Sequence, residues 1–255
     1  MQGVPDYTTG AFASRRPRFE QLRKQLLQLD TSGWTIAQQN DWMIVWAEMN
    51  GYDFNERVLQ PWKRDPAFYK TVWMERSDVP AHEGPTHHAL LEVWQFRFPL
   101  DAGQRQEFLR KLRIIAPLNQ QAQRNLTGNA RDLWIAGIRD IQQQVTDLKQ
   151  LLQLPGISND EELTSAINTA SQSSAALAAW LQQQAPKKNG PSGIGKANYT
   201  WYQQNVHLVP LSWEEEVLLL KRELSRAWTA LQLEEHRNAA LPPLPEAADA
   251  RAYQQ

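Results

Sequence analysis

The densest group of side chains able to ligate a metal or move protons lies between His82 and His88, with Glu83 and His87 inside it. A zincin site needs two histidines at i and i+4 on one helix, so that both imidazoles face one metal. Here His87 and His88 follow His82 by five and six residues, and Gly84 and Pro85 break any helix between them. A loop could fold His82 and His88 together, but no third ligand stands out. The spacing favours a solvated polar loop leading into a short helix over 88–96, with a brief strand pair nearby as an alternative. No metal ligand is therefore assigned, and His82, Glu83, His87 and His88 are the weak candidates.

A second group, Asn198, Tyr199, Trp201 and Tyr202, brings amide, hydroxyl and indole groups together beside a glycine-containing loop. Such a set suits the wall of a substrate cleft, since pockets combine aromatic surface with a few polar groups. The competing reading packs Tyr199 and Tyr202 inward, three residues apart on one helix face. The run Glu214 to Glu216 looks acidic enough for catalysis or calcium, yet acids in the first turn of a helix complement its positive end. With no cysteine, no nucleophile-elbow pattern and no phosphate-loop ending after Gly195, no catalytic residue is assigned.

The elements that must hold these groups are helices. Phe19, Leu22, Leu26 and Leu29 form one amphipathic stripe over 15–29. Thr35 with Gln38 predicts a capping box opening a second helix, with Trp42, Val45, Trp46 and Met49 inward and Gly51 as its stop. From 52 to 99 the rhythm fades among repeated prolines, which predicts an irregular region. Asp101 caps a helix that ends near Pro117, followed by a separate short helix over 118–126.

The strongest periodicity is Trp134, Ile138, Ile141, Val145, Leu148, Leu152, then Leu163, Ile167, Ala170, Ser174, Leu177, Leu181. It predicts a long helical hairpin turning at Pro155 and Gly156, recapped by Ser158. The segment 187–196 reads as an exposed hinge. Ser212 and Glu215 open a last helix with Trp213, Val217, Leu220, Leu224, Ala227 or Trp228, and Leu231 inward. The expected fold is all-α, an antiparallel helical bundle built on that hairpin. Its expected limits are a flexible terminus over 1–14, one helical domain over 15–244 in subregions 15–99 and 100–244, and a disordered tail over 245–255.

The 255 residues suffice for a sizeable core without disulfides. Lys and Arg number 27 against 28 for Asp and Glu, so the sequence speaks against nucleic acid as a partner. No run of eighteen apolar residues suggests a membrane span. The compartment stays open. Eleven tryptophans serve either as core pillars or as cleft walls.

Two stretches carry a resemblance. Residues 124–134, reading RNLTGNARDLW, and residues 192–244, opening SGIGKANYTWYQQNVHLVPLSWEEEVLLLKRELSRAW, resemble the bacterial family called domain of unknown function 885. The similarity runs over about 34–244. It implies a largely helical relative of zincin-like metallopeptidases, with zinc held by a His-Glu-x-x-Pro-Gly-His motif in the later half of a longer chain. This sequence lacks that motif, and the His82 group departs from it in order and spacing. The expectation is thus the N-terminal helical part of a metal-dependent, peptidase-like hydrolase, inactive alone and partnered by a catalytic half and a peptide substrate. The alternative is a free-standing helical module that binds a peptide or protein without chemistry.

Overall fold

The computed structural model describes residues 3–76 and 91–242. The chain forms two compact units, 1–198 and 199–255, where the sequence suggests one domain over 15–244. The class is all-α: apart from short turns, the only regular non-helical structure among the described residues is a pair of two-residue strands.

In the first unit, α1 (Thr9–Leu27) begins well before the first apolar stripe, because Thr8 caps it by accepting from the Ala11 N–H at 3.3 Å. The residues before it are tied down too. Tyr7 is buried, its N–H donates to Gln121 Oε1 at 2.6 Å, and its ring meets Phe68 edge-on at 4.7 Å. α2 (Ile36–Phe54) opens with the Thr35–Gln38 capping box and passes through Gly51 without stopping. Its buried residues are Ala47, Asn50, Asp53 and Phe54, while Val45, expected inward, is 47% exposed. Trp42 Nε1 donates to the Leu26 carbonyl at 3.1 Å and fastens α2 to α1.

A π-helical turn, Asn55–Leu59, extends α2 to Gln60, whose φ of 42° is left-handed. α3 (Pro61–Arg64) and a 3-10 turn (Pro66–Tyr69) follow. β1 (Val72–Trp73) pairs in parallel with β2 (Leu91–Glu92), and a 3-10 turn, Val93–Gln95, takes part of the span read as a helix over 88–96.

α4 (Ala102–Asn125) is capped by Asp101 and continues straight through Pro117, so there is no separate helix over 118–126. Proline removes the bond to the Arg113 carbonyl. Both residues lie on the exposed face of the helix, where a lost backbone bond costs less than in the core. α5 (Arg131–Leu151) and α6 (Glu161–Gln184) form the long hairpin, and α6 is capped by Asp160 rather than Ser158. The pairs Trp134 with Trp180 and Gln144 with Ser174 show the two helices running in opposite directions.

Two apolar clusters fill this unit. One gathers Phe108, Leu112 and Ile115 of α4 with Leu148, Leu151, Leu163 and Ile167 around the strand pair. The other gathers Trp134, Ile141, Leu177 and Leu181 with Tyr7, Trp62, Phe68 and Tyr69. Of the eleven tryptophans only Trp62 and Trp134 are buried. Gln144, fully buried, accepts from the N–H groups of Thr71 at 2.6 Å and Val72 at 3.1 Å and donates to Ser174 Oγ at 3.0 Å. A core polar group so fully paired avoids the desolvation cost of an open one. Gly137 allows the 3-10 turn to lie against α5: a Cβ there would stand 2.7 Å from the Ala67 nitrogen.

α7 (Lys196–Asn205) contains the boundary between the units, and α8 (Trp213–Arg237) is the longest helix described in the second. α8 is capped by the Ser212–Glu215 box as expected, but its apolar stripe is not inward: Leu220, Leu224 and Trp228 are 62%, 67% and 59% exposed.

Candidate functional site

The aromatic group on α7 is held to α8 by hydrogen bonds rather than left open. The Tyr199 hydroxyl donates to Glu216 Oε2 at 2.6 Å and accepts from Gln203 Nε2 at 2.8 Å. The Glu216 carboxylate raises the pKa of this phenol, with Gln203 working the other way. Thr200 Oγ accepts from the Trp213 N–H at 3.0 Å, fixing the start of α8. Tyr202 packs edge-on against His207 at 4.9 Å, and His207 Nδ1 lies 3.1 Å from Gln203 Oε1. The Trp201 carbonyl accepts from Asn205 at 2.8 Å. Asn198, on the first unit's side of the boundary, is exposed and donates to the Ile194 carbonyl at 2.8 Å.

Tyr199, Trp201 and Tyr202 therefore share one short element, half-buried, with the phenol of Tyr199 already committed. The arrangement is a bonded aromatic cluster rather than an acid–base pair poised for proton transfer. The acidic run divides its work: Glu215 caps the helix and Glu216 anchors Tyr199.

Within the segment 187–196, read as a hinge or exposed loop, residues 188–193 are tied to the start of α5. Ala130 supplies no side-chain cap, and Ser192 Oγ replaces it by accepting from the N–H groups of Asp132 at 2.7 Å and Leu133 at 3.3 Å. The Gly190 carbonyl accepts from the Arg131 N–H at 3.0 Å, and Arg64 Nη2 donates to the Ser192 carbonyl at 3.0 Å. Lys188 Nζ donates to the Gly128 carbonyl at 2.8 Å and sits 4.3 Å from the centre of the Trp134 ring. Burial, aided by Lys187, lowers its pKa.

No sequence pattern marks a third constellation, built between α1, the end of α2 and the π-helical turn. Arg16 Nη1 stands 2.6 Å from Asp53 Oδ1, close enough for ion pairing though off the hydrogen-bond direction, and its Nη2 bonds Glu20. Arg57 Nε donates to Asp53 Oδ2 at 2.8 Å. Burial works against the Asp53 carboxylate, but the Arg57 and Arg16 guanidiniums outweigh it and hold its pKa below the usual range. Glu56 lies beside this network, its Oε2 3.7 Å from Arg16 Nη1. These residues meet because the π turn redirects the end of α2, and no apolar period signals such a turn.

His82, Glu83, His87 and His88 lie outside the described residues. Among the described residues no group of three or more His, Cys, Asp or Glu side chains is placed to hold a metal ion. Zinc therefore finds no donor set in them. No described helix is long and apolar enough to cross a membrane. Comparison with protein-family models, with curated proteins and with solved structures finds no match to this chain, so its sites must be read from their own geometry.

Proposed function

We propose that this chain is the helical, non-catalytic part of a metal-dependent, peptidase-like hydrolase, and that its α8 stripe is covered by the part carrying the zinc motif. The observation behind this reading is the exposed face of α8, where Leu220, Leu224, Trp228 and Leu231 follow one another at helical spacing with no residue of the helix buried. Apolar surface of that kind marks an interaction face. The resemblance of residues 124–134 and 192–244 supplies the identity of the cover. In the whole protein, Tyr199, Trp201 and Tyr202 form part of a peptide-binding wall, with zinc and the general base supplied elsewhere.

The test joins this chain to the coding sequence that follows Gln255 in its gene. The proposal expects a His-Glu-x-x-Pro-Gly-His stretch there, zinc-dependent peptide hydrolysis by the longer protein, and none by this chain alone. A gene ending at this point, or a chain that neither binds a hydrophobic dye nor self-associates, would remove it. The committed phenol of Tyr199 favours a second reading, a module that binds a partner helix without chemistry. That reading survives if the gene ends here and the dye still binds.

A further inference from the structure

We propose that Asn189 is a site of spontaneous covalent modification: its side chain closes on the Gly190 nitrogen to a succinimide that opens to aspartate or isoaspartate, and Asn129, bonded to both reacting groups, gates the closure. Glycine permits the reaction, because any larger following residue would crowd the nitrogen as it turns toward the Asn189 side chain. Asn189 is exposed and lies outside any helix, within reach of the water that the reaction consumes.

Asn129 joins the two reacting groups. The Gly190 N–H donates to Asn129 Oδ1 at 2.8 Å, and Asn129 Nδ2 donates to Asn189 Oδ1 at 3.0 Å. The backbone donor fixes which end of the Asn129 amide is oxygen, so the nitrogen end faces the Asn189 carbonyl. One short carboxamide reaches both groups, which sets nucleophile and electrophile side by side. Its two bonds act in opposite senses. The Nδ2 donor polarises the Asn189 carbonyl toward attack, as an oxyanion-hole donor does. Oδ1 is too weak a base to take the Gly190 proton, and by accepting it in a hydrogen bond it favours the protonated nitrogen, which is no nucleophile. The seated pair is assembled but silent. Reaction waits for the strap to lift, and that motion is local because residues 189–193 rest on α5 through hydrogen bonds at the surface.

Once released, the Gly190 nitrogen gives its proton to hydroxide and bonds to Asn189 Cγ. The Cγ–Nδ2 bond breaks, and ammonia leaves with a proton from water. A second water opens the five-membered imide at either carbonyl. Opening at the main-chain carbonyl yields isoaspartate and lengthens the backbone by one methylene. The seat has no slack for that addition: a Cβ on Gly190 would already stand 2.5 Å from the Asn129 carbonyl oxygen. The lengthened strap cannot return the Gly190 carbonyl to Arg131 or Ser192 Oγ to Asp132 and Leu133, so α5 loses its cap.

The chain carries its own control. Asn50 and Gly51 form the same dipeptide, but Asn50 is 1% exposed inside α2, where the Gly51 N–H belongs to the helical ladder. Asn50 therefore stays unmodified in the folded protein.

The test incubates the folded full chain in mildly alkaline buffer and follows amide-to-acid conversion at Asn189 and Asn50 by peptide mass spectrometry. Conversion is expected at Asn189 alone, at least about tenfold slower than at the same residue in the guanidinium-unfolded chain. Asn129→Ala is expected to speed it by about tenfold while thermal unfolding stays cooperative. The isoaspartate form, separated by its added negative charge, is expected to exchange the amides of residues 131–133 about tenfold faster. Absence of conversion at Asn189 in both folded proteins overturns the proposal, as does an Asn129→Ala rate no higher than that of the unaltered chain. Equal rates in the folded and unfolded chains, or unchanged exchange at residues 131–133 in the isoaspartate form, do the same. The comparison of folded with unfolded chain decides the matter even if Asn129→Ala fails to fold.

Discussion

α6 and α8 are close to twins in sequence design: 24 and 25 residues, each with a side-chain cap, acids in the first turn and an apolar stripe at three-four spacing. α6 buries Leu163, Ile167, Ala170, Ser174, Leu177 and Leu181, whereas α8 buries none. The difference lies in what surrounds them. α6 faces α4 and α5, with Asn119 and Gln144 bonding Ser174 from both sides and Arg105 clasping Asp160 at its cap. α8 meets α7 near its first turn, through Glu216 and Trp213. Periodicity decides which side of a helix is apolar, while burial depends on what is available to cover it.

That contrast can be broken by substitution. The largest expected effect is Ile167→Ala, which opens a cavity against α4 and α5 and should cost about 2–5 kcal/mol in urea unfolding. Leu224→Ala on α8 should cost under about 0.5 kcal/mol. Equal losses would show α8 to be as enclosed as α6. Gln144→Leu should cost about 1–3 kcal/mol, because it leaves the Thr71 and Val72 N–H groups buried without an acceptor. Gly137→Ala should lose about 1–3 kcal/mol by pushing the 3-10 turn off α5, despite alanine's better helix propensity.

A smaller effect comes from Asp65, whose pKa is pushed up to about 6, first by burial and then by Asp140, against the Ala67 N–H that lowers it. The folded state then holds this proton more tightly than the unfolded one. Its contribution is complete below about pH 4 and is lost as pH rises through about 6. Asp65→Asn should flatten the stability profile across that window and gain about 1–2 kcal/mol at pH 7. Unchanged pH dependence would assign the effect elsewhere. The smallest effect on stability is that of Leu220→Lys with Leu224→Lys, which should abolish hydrophobic-dye binding while shifting unfolding by under about 0.5 kcal/mol.

Legibility followed range. The α5–α6 hairpin was readable because its stripe, turn and spacing all lie within neighbouring residues. The buried side of α2 was not, since two of its members, Asn50 and Asp53, are polar and interrupt the apolar period. Pro117 misled because it falls on an exposed face, where a missing bond is cheap. Ser192 capping α5 spans 60 residues, so nothing local around Ala130 announces it. The Tyr199 group was visible as a composition but not as a bonded unit, and the charged network around Asp53 adjoins a π turn that no residue pattern marks.

Gln144 has a further consequence for motion. Thr71 and Val72 enter a pairing only two residues long, which on its own would open freely to solvent. Their N–H groups end on a side chain rooted in the middle of α5. Hydrogen exchange at these two amides therefore follows the opening of the helical hairpin rather than fraying of the strands, and an irregular segment takes its lifetime from the helix behind it.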